Sequence, residues 1–127
     1  MEFYLPTEFG EQLAFGAAAA MVLIGVFVMF APGIAMKFFG VQPREGRPEG
    51  YGAVRSAGGL IAGFAGTALL VAQPMVYLAL GFAVVLAAFG RILSIMSDRG
   101  ATFLNFLLLI AEVVLAALPI IFVFGLV

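Results

Sequence analysis

The chain alternates long apolar stretches with short segments that are polar or rich in proline and glycine. The first stretch, residues 13–31, contains no charged residue, and its length is close to the roughly 20 residues that a helix needs to cross a bilayer. Three later stretches of similar length contain a single charged residue each. The pattern predicts four transmembrane helices, over approximately residues 8–31, 51–72, 75–96 and 101–124.

The segments around the first predicted loop favour a break followed by a polar connection. Pro32 and Gly33 end the first helix. The apolar segment 34–40, which contains Lys37, is predicted to lie in the membrane interface with the lysine directed outward. Residues 41–50 are rich in proline, glycine and charge, which is typical of a loop.

The remaining connections are short. A Gln-Pro pair at 73–74 predicts a tight turn, and residues 97–100 (SDRG) predict another, in which Ser97 or Asp98 caps the last helix. Residues 1–127 are therefore expected to form a single all-α domain, an integral membrane four-helix bundle with up-down-up-down topology and a short interfacial segment after the first helix.

Composition narrows the functions that such a bundle can have. Hydrophobic residues make up 65% of the 127 positions and charged residues 10%, as expected for a protein whose main partner is the lipid bilayer. The chain has no cysteine and no histidine. Their absence argues against disulfides, histidine-ligated haem, the usual zinc sites and a catalytic imidazole, and the net charge of -1 argues against a nucleic-acid partner. We therefore expect neither a cofactor nor a metal.

The basic residues predict an orientation in the membrane. In a four-crossing chain, the first and third loops share one side, and both termini and the second turn share the other. All lysines and arginines fall in or beside the first and third loops: Lys37, Arg44, Arg47, Arg55, Arg91 and Arg99. The tyrosines fall at predicted helix ends, where an aromatic belt would lie: Tyr4, Tyr51 and Tyr77. The positive-inside rule therefore predicts that the first and third loops lie in the cytoplasm and that both termini lie on the opposite side of the membrane.

An acid and a base lie inside the last two predicted helices. Glu112 follows the start of its helix by about 16 Å of rise, near the middle of a hydrocarbon core about 30 Å thick. Because helical side chains lean toward the N-terminus of their own helix, Arg91 and Glu112 are expected to lean toward each other. Ionisable groups at this depth are costly, so we expect a buried polar cluster. Arg55, near the start of the second helix, is expected to lean outward to the interface, and its membership of the cluster is the open alternative. The predicted members are Arg55, Arg91, Ser94, Asp98, Asn105 and Glu112.

Two interpretations of this cluster are open. In the first, an arginine neutralises the glutamate and the ion pair fixes the packing of the helices. In the second, Glu112 is a proton- or cation-coupled site, which requires an acid that is free to exchange its proton. We favour the structural interpretation, because one arginine is enough to neutralise the acid.

The second predicted helix carries small residues at the spacing of a packing motif. Gly59 and Gly63 are four positions apart, and so are Ala62 and Gly66. Since small side chains let helix backbones approach closely in lipid, this face is predicted to pack against another helix. That helix is expected to belong to the same bundle, although a contact between two copies would use the same motif.

Three features together resemble a known family. An arginine followed by glycines opens the second helix (55–63, RSAGGLIAG), residues 90–100 read GRILSIMSDRG, and Glu112 is the lone acid of the fourth helix. In these features the chain resembles small bacterial four-helix membrane proteins of unknown function, grouped with the DoxX-like proteins. The resemblance covers most of the chain and implies association with quinone-linked oxidoreductases for some relatives, but the chain shows no quinone motif of its own. It also implies a four-helix bundle with polar positions at Arg55, Arg91, Ser94, Asp98 and Glu112. Together with the predicted orientation, it implies a multi-pass protein of the bacterial inner membrane with both termini in the periplasm.

Three classes of function follow from these observations. We expect an accessory or scaffold subunit of a membrane complex, associated with other membrane protein subunits or with itself, because the loops are too short to form a domain. The alternative is a small proton- or cation-coupled transporter that uses Glu112. The small multidrug exporters, however, carry their glutamate in the first helix and usually have a tryptophan in an aromatic cage, and this chain has no tryptophan. An enzyme is not expected, because there is no nucleophile–base pair and no metal set.

Overall fold

The computed structural model describes residues 5–42 and 44–126, which contain five α-helices. Four of them are long and apolar enough to cross a membrane, so the chain is a small multi-pass membrane protein. The predicted all-α bundle with a short helix after the first long one is confirmed, and each predicted helix limit lies within two residues of the observed one. The helices are α1 (Phe9–Phe30), α2 (Pro32–Phe39), α3 (Glu49–Val71), α4 (Pro74–Ser97) and α5 (Phe103–Val123).

Prolines and left-handed residues set where several helices end. Because a proline lacks a backbone N–H and disfavours the helical conformation before it, Ala31 leaves that conformation (φ -129°, ψ 60°) and Pro32 begins α2. Gly40 ends α2 with a φ of 71°, which glycine adopts without steric cost. The turn from α3 to α4 contains both a residue in the left-handed conformation, Ala72 (φ 54°), and a proline, Pro74, in the first turn of α4.

The turn between α4 and α5 differs from the prediction at the cap of the last helix. The sequence predicts Ser97 or Asp98 as the cap, but the N-cap is Thr102, whose Oγ1 accepts a hydrogen bond from the backbone N–H three positions later (3.2 Å). The prediction is wrong because α4 continues through Ser97. The chain then folds back so that Gly100 donates its N–H to the carbonyl of Ser94, at 3.2 Å, and α5 begins only after this turn.

The four long helices surround a common axis, and neighbouring pairs differ in how extensively they contact each other. α1 contacts both α3 and α5, and α4 packs along α5. Although α3 and α4 are consecutive, they contact each other much less than α1 contacts α3 or α4 contacts α5. The bundle therefore has a loose seam, by which we mean the boundary between α3 and α4.

The contact between α1 and α3 depends on two buried glycines. A Cβ atom at Gly25 would lie 2.6 Å from both the backbone nitrogen of Ala62 and the carbonyl oxygen of Gly58. A Cβ atom at Gly58 would lie 2.7 Å from the carbonyl oxygen of Gly25. Since these neighbours are backbone atoms, which cannot move aside as a side chain can, no larger residue fits at the crossing of the two helices.

The predicted packing face of α3 only partly coincides with this crossing. Of the four predicted residues, Ala62 lies at the crossing, and Gly59 lies beside it, with a methionine sulfur 3.3 Å from its Cβ position. A Cβ atom at Gly66 would have its nearest neighbour at 4.0 Å, and one at Gly63 would have none within 4 Å. Gly63 is therefore not a packing residue within the described chain, because α1 meets α3 on the face of Gly58 and Ala62.

A cluster of buried residues lies in the half of the bundle that contains the α3–α4 turn. Its members are Ala14, Ala17, Ala18, Met21, Ala65, Ala68, Tyr77 and Leu80. Tyr77 is fully buried, and its ring meets that of Phe122 edge to face, with centroids 5.6 Å apart. The predicted place of Tyr77 in an aromatic belt is therefore wrong, because the side chain packs inward against α5. Tyr51 is exposed, and Tyr4 lies outside the described residues.

Candidate functional site

An ion pair joins the last two helices. Arg91, in the C-terminal third of α4, donates from Nε to Oε1 of Glu112, in the middle of α5, across 2.7 Å. The two side chains are 24% and 23% exposed, and no charged side chain in the described residues is buried. The expectation of a buried cluster is therefore wrong. The pair is half-buried because both side chains line a cavity on one side of the α4–α5 contact.

Asn105 connects this ion pair to the turn that precedes α5. Its Oδ1 accepts a hydrogen bond from Nη1 of Arg91 at 2.8 Å, and its Nδ2 donates to the carbonyl oxygen of Gly100 at 2.8 Å. The backbone N–H of Asn105 is bound by the Thr102 cap. A continuous series of hydrogen bonds therefore runs from the turn through Asn105 and Arg91 to Glu112. We call these three side chains the Arg-Asn-Glu cluster.

Gly100 lets the turn approach the end of α4. Gly100 is buried, and a Cβ atom there would lie 2.7 Å from the carbonyl oxygen of Ser94 and 2.9 Å from Nδ2 of Asn105. The same close approach allows its carbonyl to accept from Asn105. Gly100 is thus a supporting residue of the cluster that the sequence analysis did not identify. The sequence feature that could have indicated this role is the position of Gly100 in the polar turn, directly before the predicted helix.

The other predicted cluster members lie elsewhere. Arg55 is exposed and donates from Nη1 to the carbonyl oxygen of Met29 at 2.9 Å. That carbonyl belongs to the last turn of α1, where helix carbonyls lose their partners within the helix. Ser94 contributes its backbone carbonyl, which accepts from two N–H groups of the turn, and Asp98 is the exposed C-cap of α4. Within the described residues, the side chains of Ser94 and Asp98 make no hydrogen bond to the cluster.

These positions have a common physical reason. The break at Pro32 leaves the last carbonyls of α1 without partners inside the helix. Arg55, in the second turn of α3, lies next to them, so its guanidinium binds a backbone oxygen and not Glu112. Asp98 follows the last residue of α4, where the chain has already left the bundle. The predicted cluster of six is therefore a linked group of three with separate polar contacts around it.

A cavity of about 490 Å³ lies beside the ion pair, with residues of every described helix in its walls. The lining is apolar except for Arg91 and Glu112. Three of the lining residues are alanines on α4 and α5, namely Ala83, Ala87 and Ala111. This cavity was not predicted from the sequence. The sequence feature that could have indicated the cavity is the spacing of Ala83, Ala87 and Arg91, which places two small side chains and a charge on one face of α4.

The cluster offers both donors and acceptors of hydrogen bonds. The Arg91 guanidinium has five N–H donors, of which one binds Glu112 and one binds Asn105. Among the described residues, no group of three histidine, cysteine or carboxylate side chains is placed to hold a metal ion. The arrangement can clamp two helices together and can offer further donors and acceptors to a molecule in the cavity.

No family model, curated protein or solved structure matches the chain. The cluster, the cavity and the helix surfaces are therefore the features that bear on its function.

Proposed function

We propose that this small multi-pass membrane protein is a non-enzymatic accessory or scaffold subunit of a membrane complex in a bacterial inner membrane. The observation that supports it best is the engagement of Glu112. Its carboxylate accepts a charge-assisted hydrogen bond of 2.7 Å from Arg91, and Asn105 holds the same guanidinium from its other side. Such bonds are about twice as strong as neutral ones. An acid held in this way serves to fix α5 against α4.

The surface offered to a partner subunit is the outside of the long helices. In the described chain, the connections between α3 and α4 and between α4 and α5 are a few residues long, and the α1–α3 connection consists of α2 and a polar loop. Large apolar side chains are exposed on every long helix, for example Leu23, Leu60, Leu86 and Ile110. Such a surface fits lipid and the transmembrane helices of another subunit or of a second copy.

The resemblance to the DoxX-like proteins points in the same direction. It implies that some relatives associate with quinone-linked oxidoreductases. Two segments that carry it, residues 55–63 and 90–100, include groups that hold this bundle together, because Arg55 binds the end of α1 and Gly100 supports Asn105. Roles in bundle assembly suit a subunit that presents a fixed surface to its partner.

A small proton- or cation-coupled transporter is the alternative, and one observation favours it. Glu112 lines the cavity and is about a quarter exposed, so a solute in the cavity could reach the carboxylate. Against it, residues 113–127 contain no polar side chain, so α5 supplies no groups for a proton path beyond Glu112. The closed ion pair and this apolar half of α5 together favour the scaffold.

The two proposals predict opposite results for Glu112→Gln. In vesicles of the purified wild-type protein, a cation gradient should move no protons if the protein is a scaffold. Glu112→Gln should then lower stability and reduce the amount of any subunit that co-purifies from native membranes in a mild detergent. The matched control is Glu49→Gln, which removes an exposed carboxylate that lies 3.6 Å from Arg47 in the loop, and it should do neither. Proton movement by the wild type that Glu112→Gln abolishes without loss of the fold would establish the transporter.

A further inference from the structure

We propose that the cavity beside Arg91 and Glu112 is a binding site for an uncharged single-chain amphiphile, such as a monoacylglycerol, which enters from the bilayer through the seam between α3 and α4. The site is separate from the scaffold role, because a subunit could fulfil that role without a ligand. The proposal rests on three properties of the cavity: its dimensions, its opening and the chemistry at its polar end.

The dimensions suit one hydrocarbon chain. A volume of about 490 Å³ falls within the roughly 300–1,000 Å³ of small-molecule sites. The lining residues of α4 run from Leu80 to Arg91, a length of about 16 Å at the helical rise. That is about half of a hydrocarbon core of roughly 30 Å, the depth of one leaflet. The acyl chain of a lipid in that leaflet would lie along the apolar wall of the cavity and place the polar head group near Arg91.

The opening lies where α3 and α4 contact each other least. Lining residues on both sides of the seam are exposed: Leu60 and Ile61 on α3, and Ala83 and Ala87 on α4. Away from the seam, Met21 in the wall is buried, whereas Ile24 on α1 and Ala111 on α5 face the open cavity and are exposed. A lipid chain can therefore enter sideways from the bilayer without separating the well-packed pairs α1–α3 and α4–α5.

The polar end selects against a charged head group. Arg91 and Glu112 neutralise each other across 2.7 Å, so an ammonium, carboxylate or phosphate group would meet no net countercharge to offset the cost of leaving water. Three N–H donors of Arg91 have no partner among the described residues, and unpaired polar groups are costly in hydrocarbon. A hydroxyl group can accept from Arg91 and donate to Glu112. The site therefore fits an uncharged head group that carries hydroxyl or carbonyl oxygens.

The test is photolabelling of the full chain in lipid nanodiscs. The probe is a monoacylglycerol with a diazirine on its acyl chain, and labelled residues are located by mass spectrometry. We expect labelling at cavity-lining residues of α5, such as Leu108 and Leu115, that excess unlabelled monoacylglycerol suppresses about tenfold more effectively than a fatty acid or an alkyl ammonium of the same chain length. Labelling of the outer helix surfaces should resist competition, because it reports bulk lipid.

Matched variants locate the site. Ala83→Phe places a ring in the cavity, whereas Ala79→Phe places the same ring one turn away on α4, at an exposed alanine that does not line the cavity. We expect Ala83→Phe to abolish the competed labelling and Ala79→Phe to retain it. If Ala83→Phe does not fold, Ala111→Phe fills the cavity from α5 and should give the same loss.

Two results would overturn the proposal. Labelling that no competitor reduces, or that persists in a folded cavity-filling variant, would show that the probe samples bulk lipid only. Competition by the fatty acid or the alkyl ammonium at the same concentration as the monoacylglycerol would disprove the selection for an uncharged head group.

Discussion

Arg91 is the side chain that joins α4 to the candidate site, because its guanidinium binds both Glu112 in the middle of α5 and Asn105 near the start of α5. Both partners therefore depend on one side chain of α4. Loss of the arginine would leave the glutamate without a countercharge inside a transmembrane segment, where an unpaired charge is costly. Loss of the glutamate charge as well would remove most of that penalty.

A double-mutant cycle tests this dependence. Arg91→Ala should destabilise the bundle by about 1–3 kcal/mol, between the small average for membrane hydrogen bonds and the cost of breaking a buried ion pair. Adding Glu112→Gln should recover part of the loss, because the glutamine leaves no unpaired charge. The measurement is reversible unfolding of the purified protein in mixed micelles. A double variant no more stable than Arg91→Ala would show that the pair does not organise this contact.

Gly100 provides a second test at the residue level, because it supports the cluster without belonging to it. A Cβ atom there would lie 2.7 Å from a backbone oxygen, so Gly100→Ala should cost about 1–3 kcal/mol, as overpacking does. The control is Gly90→Ala in α4, where a Cβ atom has no neighbour within 4 Å. The midpoint of thermal unfolding in detergent should fall for Gly100→Ala alone, and equal midpoints for the two variants would contradict the close packing of this turn.

The pairing of Arg91 with Glu112 could be read from the sequence, whereas the other members of the cluster could not. Two lone opposite charges in consecutive transmembrane helices have few partners, and the lean of helical side chains brings them together. Arg55 had a competing acceptor, the carbonyl of Met29 at the end of α1. Free backbone carbonyls depend on where a neighbouring helix ends in space, and the local sequence around Arg55 does not contain that information.

At the level of helices, the packing face of α3 likewise could not be predicted from its own sequence alone. Its small residues correctly indicated close packing, but the spacing of Gly59 and Gly63 marked a face that coincides only partly with the contact. The crossing uses Gly58 and Ala62 against Gly25 of α1. A glycine-rich helix has several faces with small side chains. The face that packs is the one opposite the glycine of the neighbouring helix. The packing face of α3 therefore depends on both helices, and a motif in α3 alone does not determine it.

Alanine substitutions can separate the two faces of α3. Gly58→Ala should destabilise the protein by about 1–3 kcal/mol, because its Cβ atom would lie 2.7 Å from backbone atoms of α1. Gly63→Ala, five positions later in the same helix, should be neutral or stabilising by up to about 1 kcal/mol, since nothing lies within 4 Å. The measurement is unfolding in mixed micelles. A large loss for Gly63→Ala together with a loss of dimer would instead assign Gly63 to a contact between copies.

At the level of the whole molecule, the hydrophobic pattern predicted the number and limits of the transmembrane helices, but not the cavity. Helix number follows from the length of apolar stretches in lipid. A cavity depends on how four helices are spaced, and the loose seam between α3 and α4 results from the stronger pairing of α3 with α1 and of α4 with α5. The positions of Ala83 and Ala87 became informative only when α5 and α3 were placed opposite them.

The orientation of the bundle is a further prediction for the whole molecule, and the absence of cysteine from the sequence permits a direct test. Arg47→Cys lies in the polar loop before α3, and Gln73→Cys lies in the turn before α4; both positions are exposed. Because basic residues gather at the first and third connections, the positive-inside rule places Arg47 in the cytoplasm and Gln73 in the periplasm. A membrane-impermeant maleimide should therefore label Gln73→Cys, and also Leu126→Cys near the C-terminal end, in intact spheroplasts. It should label Arg47→Cys only after the membrane is opened, and the reverse pattern would place both termini in the cytoplasm.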